Sequence, residues 1–537
     1  MIKFSSFAFI LFFSASILIP QSTNKEFRST WVITWEYITG GSSVEQNKAR
    51  IRKILDDHVK ANMNSVLWQV RQAGTAYYNS SYEPWGEYAG SSYPGFDPLA
   101  YATEEAHLRG LELHAWFNVF ASQSTASGAP ANEHPEWVCR DASGIAMTTS
   151  RALSPGMEAC REYLLDVAME VVRNYDIDGI HLDYVRWNEY SNSDKSERFA
   201  NEKEEQKLPD WAISDEQIKD LEENKAGRYL YDVDHPSSAG VPAGFSSWDE
   251  WWRFSVTEYV RKLHDSIQTA KPWVRLSVAA LGKYNWSGWQ GYGTVYQDAA
   301  LWFNQGYIDQ LTPMHYHWTT GAAFYGMLAG SCPSCWSQFI QPGVTAGRLY
   351  SVGPPSYILK DDNIFFRHAE IVSSSRAVNW VDGFQFFSYG SWRDMEYWET
   401  AAKTFFNRKT KVRGSGLISD SIPQSPSLTI QKIDSLNYTL TVTPPTGTNA
   451  NQWFVLYRFI NDSIITDQDE IVALKFGSQP FTIEQQFDGL QDYNGQFKFA
   501  ATMLNRYWNE SHPSILVITD SIPSFAPAVL SSLPSEG

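Results

Sequence analysis

The run Asp176-Ile-Asp178-Gly-Ile-His181-Leu-Asp183-Tyr-Val-Arg186-Trp187 carries the clearest chemistry in the chain. Along an extended strand, alternation puts Gly179, His181 and Asp183 on one face and Ile180 and Leu182 on the other. The Ile/Leu face is expected to pack on helices. Asp183 then points inward at the strand end, with His181 one layer below. A carboxylate ringed by aromatics can act as a nucleophile or stabilise a positive, sugar-like transition state. A structural ion pair with Arg186 is the alternative. Glu112-Leu-His114-Ala-Trp116-Phe-Asn118 alternates in the same way. Its Leu113, Ala115 and Phe117 form the apolar face, and Asn118 stands highest on the other. His114 reads equally as a satisfied core histidine or a substrate contact. Gln69 and Arg71 share a face of an earlier strand. Arg71, at the rim, either binds substrate or holds Asp183 ionised.

Were Asp183 to act on such a sugar-like transition state, a second carboxyl group acting as an acid would be needed. The later strand ends read Leu281-Gly-Lys283-Tyr-Asn-Trp286, Met314-His315-Tyr316-His317-Trp318, Tyr350-Ser-Val-Gly353 and Phe387-Ser-Tyr389-Gly-Ser-Trp392. None has an acid at the rim. The remaining candidates are Glu36, Glu83, Glu87, Glu189 and Asp394. Glu36 lies nearest a strand end, between Trp35 and Tyr37, and an apolar setting would raise its pKa as a general acid needs. A solvated loop glutamate is an equal alternative. Asp183 and Glu36 are therefore the expected catalytic pair. Arg71, His114, Trp116, Asn118, His181 and Arg186 are expected substrate contacts. So are Trp187, His315, Tyr316, Trp318 and Tyr389. The tyrosine-rich stretch from Tyr77 to Tyr93, with Trp286, Trp289 and Trp392, would wall the groove or simply pack on the barrel top.

These groups need a frame to hold them. The chain has 537 residues, enough for two or three domains, and only 19% of them are charged. Lys plus Arg is 43 against Asp plus Glu at 60, a net charge of −17. That balance argues against nucleic acid, which needs a basic face. It also disfavours strongly anionic polymers unless the groove itself is basic. The aromatics stand out: 22 Trp, 28 Tyr and 30 Phe, suited to stacking on sugars or to large cores. Between Ser29 and Phe406, eight short apolar runs alternate with helical periodicity. The pattern predicts a parallel sheet, and its count and length suit a (β/α)8 barrel better than an open sheet. No G-x-G-x-x-G follows a strand, so no dinucleotide cofactor is expected.

Residues 411–427 are rich in Gly, Ser and Pro and read as a linker. From 428 to 520 the period changes to 2, with seven strand candidates, the pattern of a β-sandwich resembling a fibronectin type III domain. Residues 521–537 read as a loose tail. Residues 1–22 read as a secretory signal, with Lys3 ahead of an apolar run from Phe4 to Ile19 too short to span a membrane. An uncleaved anchor is the alternative. The protein is expected to be exported, with no transmembrane segment once the signal is removed. Four cysteines in an oxidising compartment permit two disulfides, Cys332–Cys335 and Cys139–Cys160.

Residues 26 to about 406 resemble the glycosyl hydrolase-like 10 family. The resemblance is carried by Arg28-Ser-Thr-Trp31, Val66-Leu-Trp-Gln-Val-Arg71, Asp97-Pro-Leu and Gly110-Leu-Glu-Leu-His114-Ala-Trp-Phe-Asn118. Further matches are Leu153-Ser-Pro-Gly156, Asp178-Gly-Ile-His-Leu-Asp183 and Ile308-Asp-Gln-Leu-Thr-Pro-Met-His-Tyr316. The resemblance implies a secreted or periplasmic glycoside hydrolase, with Asp183 as the leading catalytic carboxylate. Some family members cleave peptidoglycan glycan strands stripped of their peptides. The chain departs from the family at Met314, where glutamine is usual, at Glu36, where a neutral residue is usual, and in a long charged loop over 188–247. Two other readings stay open: a non-catalytic glycan-binding barrel, and a metal-dependent hydrolase using Asp183, His114 and His315.

Overall fold

The computed structural model describes residues 24–148, 150–188, 228–414, 421–487 and 495–522. The expected signal segment, most of the loop after Asp183, including Glu189, and nearly all of the tail lie outside these residues.

Eight parallel strands close into a barrel: β1 (Phe27–Val32), β2 (Ser65–Gln72), β3 (Glu112–Asn118), β4 (Gly179–Asp183), β5 (Arg275–Val278), β6 (Gln310–Leu311), β7 (Leu349–Val352) and β8 (Gly383–Phe386). Each pairs with the next, and β1 closes the ring onto β8, with Phe27 opposite Gly383. β7 begins only at Leu349, because Gln341–Thr345 just before it is helical.

Alternation sorts the side chains. Ile180, Leu182, Leu113, Ala115 and Phe117 face outward into the main core beneath the helices. The helices cap themselves as their sequences require. Ser43 and Gln46 form a reciprocal capping box at the start of Val44–Lys60, and Asp97 caps Pro98–Leu108.

The barrel interior is layered. In the lowest layer Arg275 makes two 3.0 Å contacts with the Glu112 carboxylate, and His114 Nε2 lies 3.0 Å from Glu112 Oε2. Gly179 is needed here, because an added Cβ would sit 2.1 Å from the His114 ring. The middle layer holds Trp31, His181 and Ser277. The upper layer, with Trp116, Asn118 and Asp183, opens at the C-terminal rim.

Beyond the barrel lie two antiparallel sheets. One joins β9 (Ser427–Lys432), β10 (Asn437–Thr443) and β13 (Phe481–Gln486). The other joins β11 (Gln452–Phe459), β12 (Glu470–Gly477), β14 (Lys498–Leu504) and β15 (Val517–Ile518). This all-β unit forms the floor of the barrel. Trp508 donates its indole N–H to Glu112 Oε1 in the lowest layer and stacks on Trp453 at 5.0 Å. Arg506 pairs with Asp176 at 2.7 Å and Asp178 at 3.2 Å. One apolar cluster runs from Trp453 and Trp508 through Phe27 and Leu349 to Trp31 and Trp116. The first residues of the expected linker are likewise built in. Lys411 is buried, donates to Tyr457 Oη at 2.7 Å and pairs with Glu510.

Cys332 and Cys335 form a disulfide. Cys139 and Cys160 do not, which corrects the expected second bridge. Both are buried free thiols packed in the main core as small apolar side chains.

Candidate active site

At the C-terminal face a cavity of about 340 Å³ surrounds Asp183. The carboxylate is fixed from its own strand end. Asp183 Oδ1 accepts the Tyr184 N–H at 2.7 Å, and its carbonyl accepts from Val119 at 2.8 Å. Tyr184 sits in the left-handed region at φ 49°, a strained conformation for a bulky residue and of a kind that clusters at functional sites. Trp35, Trp116, Trp289, Tyr316, Tyr357 and Phe387 supply aromatic walls. Gln69 and Gln72 stand on the β2 side, where Thr34 holds their carbonyl ends: its backbone N–H reaches Gln69 at 3.3 Å and its hydroxyl reaches Gln72 at 2.7 Å. Their amide NH₂ groups are left as donors.

Charge is unevenly spread. Among the described lining residues Asp183 is the one carboxylate, set against Arg186 and Lys283, with His317 at the rim. The Arg186 guanidinium lies 4.7 Å over the Tyr184 ring. Burial, with Tyr357 and Asp183 nearby, pushes the Tyr316 phenol well above its ordinary range, so it stays a neutral O–H donor.

The structure thus gathers Asp183, Trp116, Asn118, Arg186 and Tyr316 around one cavity. The other expected site residues lie elsewhere. Glu36 is not a lining residue. Its preceding neighbour Trp35 lines the cavity, while Glu36 pairs with Arg393. Burial raises its pKa, only partly opposed by Arg393. Arg71 is fully buried and grips Glu83 with both Nε and Nη2, at 2.8 and 2.6 Å. A register irregularity between Gln69 and Arg71 interrupts the alternation that would have brought it to the rim.

His114 belongs to the lowest layer. His181 is buried beneath the cavity. It accepts from Trp31 at 2.8 Å and donates Nδ1–H to Ser277 at 2.9 Å. Burial, reinforced by His114, depresses its pKa well below 6.5, so it is a neutral framework group. His315 is buried behind the rim, accepting from Gly353 N–H at 3.1 Å and bonded to Tyr350 at 3.0 Å. Asp183, His114 and His315 are therefore not brought together as ligands, and no metal-holding group of three or more occurs among the described residues. Tyr389 sits in the helical shell, donating to Asp57 at 3.0 Å. Trp318 packs against Trp286 at 5.6 Å, outside the cavity lining. Trp187 donates to the Trp252 carbonyl at 2.9 Å and lines a smaller neighbouring cavity. In the tyrosine-rich stretch, Tyr77 and Tyr78 are buried in the core rather than walling the groove.

Tyr357 and Phe387 are lining residues that strand-end reading passed over. Phe387 follows β8 directly, whereas Tyr389 already begins a helix, so alternation stops between them. Tyr357 lies on the short helix after β7. Lys283 and His317 stood in the strand-end segments, but nothing in their spacing separated them from their neighbours, whereas Trp289, expected as a groove wall, does line the cavity.

A closed parallel barrel with a carboxylate-centred, aromatic-walled cavity at its C-terminal face defines a TIM-type barrel protein. Residues 26–352 match the glycosyl hydrolase-like 10 family, and the chain belongs to it. It is 26% identical over 543 residues to Glycosyl hydrolase YngK of Bacillus subtilis (strain 168), spanning 93% of this chain and 95% of that protein. It is 24% identical over 387 residues to Glycosyl hydrolase DigH of Escherichia coli (strain K12), spanning 64% of this chain and 77% of that one. Among solved structures, alpha-L-fucosidase isoenzyme 2 from Paenibacillus thiaminolyticus aligns at TM-score 0.40 and 15% identity, over 71% of this chain and 49% of that one.

Proposed function

We propose that this protein is an exported glycoside hydrolase that cleaves O-glycosidic bonds of a poly- or oligosaccharide at the C-terminal face of its barrel, with Asp183 at the chemistry. The observation that carries this reading is the placement of Asp183. The carboxylate is held by a backbone N–H in a cavity walled by indole and phenol rings that suit the CH faces of sugars. Its negative charge faces the space where an oxocarbenium-like transition state would develop. Family membership and the likeness to YngK and DigH support the same class.

Peptide-stripped peptidoglycan strands are the substrate we favour. Among the described lining residues two cationic side chains, Arg186 and Lys283, stand beside one carboxylate, although the chain as a whole carries −17. A glycan bearing carboxylates suits that balance. We read the seven-stranded C-terminal unit as fibronectin type III-like on its strand order.

A second reading has its own support. One carboxylate among the described lining residues also fits a barrel that binds glycans without cleaving them. Mass spectrometry of products separates the two. The protein and its Asp183→Asn variant are incubated with a polysaccharide panel that includes peptide-stripped peptidoglycan. New oligosaccharides from the unsubstituted protein alone are expected. Equal products from both would remove Asp183 from the chemistry. Binding without products from either would favour the second reading.

A further inference from the structure

Beside the main cavity lies a second one of about 210 Å³. The two share Gln72, Asn118, Tyr184 and Arg186, so they meet along the loop that leaves Asp183. We propose that this second cavity is a sugar-binding subsite, so that a glycan chain is held on both sides of the bond placed at Asp183. The inference rests on the glycan-acting reading above and deepens it: the ligand spans at least two rings, and the ring in the second cavity is a neutral hexose or N-acylhexosamine.

The chemistry of the walls supports that ring. Beyond the shared residues the described lining is neutral. Gln123, Ser150 and Asn188 bring amide and hydroxyl groups, and the buried Phe120 and Trp187 close the cavity from behind. Amides and hydroxyls match ring hydroxyls and N-acyl groups, each offering donors and acceptors. Trp187 has committed its N–H to Trp252 and Ser255, which fixes it as the back wall.

Asn118 gives the independent sign that a ligand belongs here. It is 8% exposed, lines both cavities, and its Oδ1 is buried without a hydrogen-bond partner. A buried acceptor left unmatched is unfavourable and uncommon in native structures. A hydroxyl or amide N–H of a sugar lying across the junction would satisfy it. Tyr184 and Arg186, stacked at 4.7 Å and anchored by the left-handed turn after Asp183, form the shelf between the two spaces.

The test uses the full chain carrying Asp183→Asn, so that ligands persist. Affinities are measured by calorimetry for oligosaccharides of increasing length prepared from chitin and from peptide-stripped peptidoglycan. Single rings are compared with longer chains. Affinity is expected to rise at least tenfold from one ring to several. Gln123 is solvent-exposed, so Gln123→Trp can fill the second cavity without disturbing the core. That variant should abolish the gain with length while its thermal unfolding stays that of the parent. Gln123→Ala should reduce the gain by a smaller factor, about three. A length gain that persists undiminished in folded Gln123→Trp, or no gain in the parent, overturns the subsite. Failure of every oligosaccharide to bind the parent overturns the glycan-acting reading itself, and the subsite with it.

Discussion

The Trp31 indole N–H donates to His181 Nε2 at 2.8 Å, directly beneath the cavity that holds Asp183. An indole nitrogen only donates, so this bond fixes the histidine tautomer: Nε2 accepts and Nδ1–H points to Ser277. Trp31, His181 and Ser277 thus form a neutral hydrogen-bonded chain under the site. Trp31→Phe would leave Nε2 a buried acceptor without a donor. A loss of about 2–4 kcal/mol is expected, combining the unmet hydrogen bond with the lost packing volume. Urea denaturation would measure it. A change below 0.5 kcal/mol, on the order of that for a neutral surface site, would show that the layer is not held in this way.

Asp183 and Glu36 should respond very differently to neutralisation. Asp183→Asn is expected to lower turnover by about two orders of magnitude or more, the usual scale for removing a group at the chemistry. Glu36→Gln weakens a rim ion pair with the half-exposed Arg393 and should leave turnover within about threefold. Initial rates on the same glycan compare them. A Glu36→Gln enzyme as inactive as Asp183→Asn would return Glu36 to the catalytic machinery.

Stability should fall in mild acid. Burial depresses His58 and His368 to about 4 and His315 to about 3, from an ordinary 6.5, and puts His181 well below it. Below pH 6.5 the unfolded chain takes up protons that the folded chain refuses. The stabilisation is thus complete above 6.5 and is lost progressively as pH falls toward 4. By pH 5 each such histidine costs on the order of 1–2 kcal/mol. Asp178 adds a later step. Burial raises its pKa, but His107 and Arg506 outweigh that and hold it at about 2, so its contribution disappears between 3.8 and 2. Melting temperature followed from pH 7.5 to 4 should decline from near pH 6. A flat profile down to pH 4.5 would contradict the neutral buried histidines.

Removing the floor of the barrel should be costly. Trp508→Ala empties a buried indole site and strips a donor from Glu112, for an expected loss of about 3–5 kcal/mol. Trp508→Phe refills most of the volume and should recover part of it. Thermal unfolding of both variants would show the order. Equal stability of the alanine variant and the parent would mean that Trp508 only rests on the barrel.

Much of this architecture can be read from alternation alone. Gly179, His181 and Asp183 face inward in β4, as do Glu112, His114, Trp116 and Asn118 in β3, because both strands are long enough for period 2 to persist. Where strands are short the rule gives out. β6 has only two residues, and the chain turns immediately afterwards, so His315 enters the core while Tyr316 and His317 reach the cavity. At Arg71 a register shift intervenes, and Glu83 supplies a partner from a loop that strand-end reading treats as remote. Alternation gives the order of heights along one strand, but not which barrel layer each residue joins. His114 and Trp116 share a face, yet one meets the floor and the other the site. Which layer a residue occupies depends on how neighbouring strands are staggered, a long-range property that no local window contains.

The Trp508–Glu112 contact bears on how this chain can be rearranged in evolution or in the laboratory. A tethered accessory domain can be swapped or lost, because its host keeps a finished surface behind it. Here the barrel's lowest layer is completed by side chains from the far end of the polypeptide. The β-unit is thus closer to a keel than to a passenger. Grafting the barrel alone onto another protein would expose a buried ion-pair layer to water, whereas an exchange that keeps Arg506 and Trp508 with their partners would preserve it.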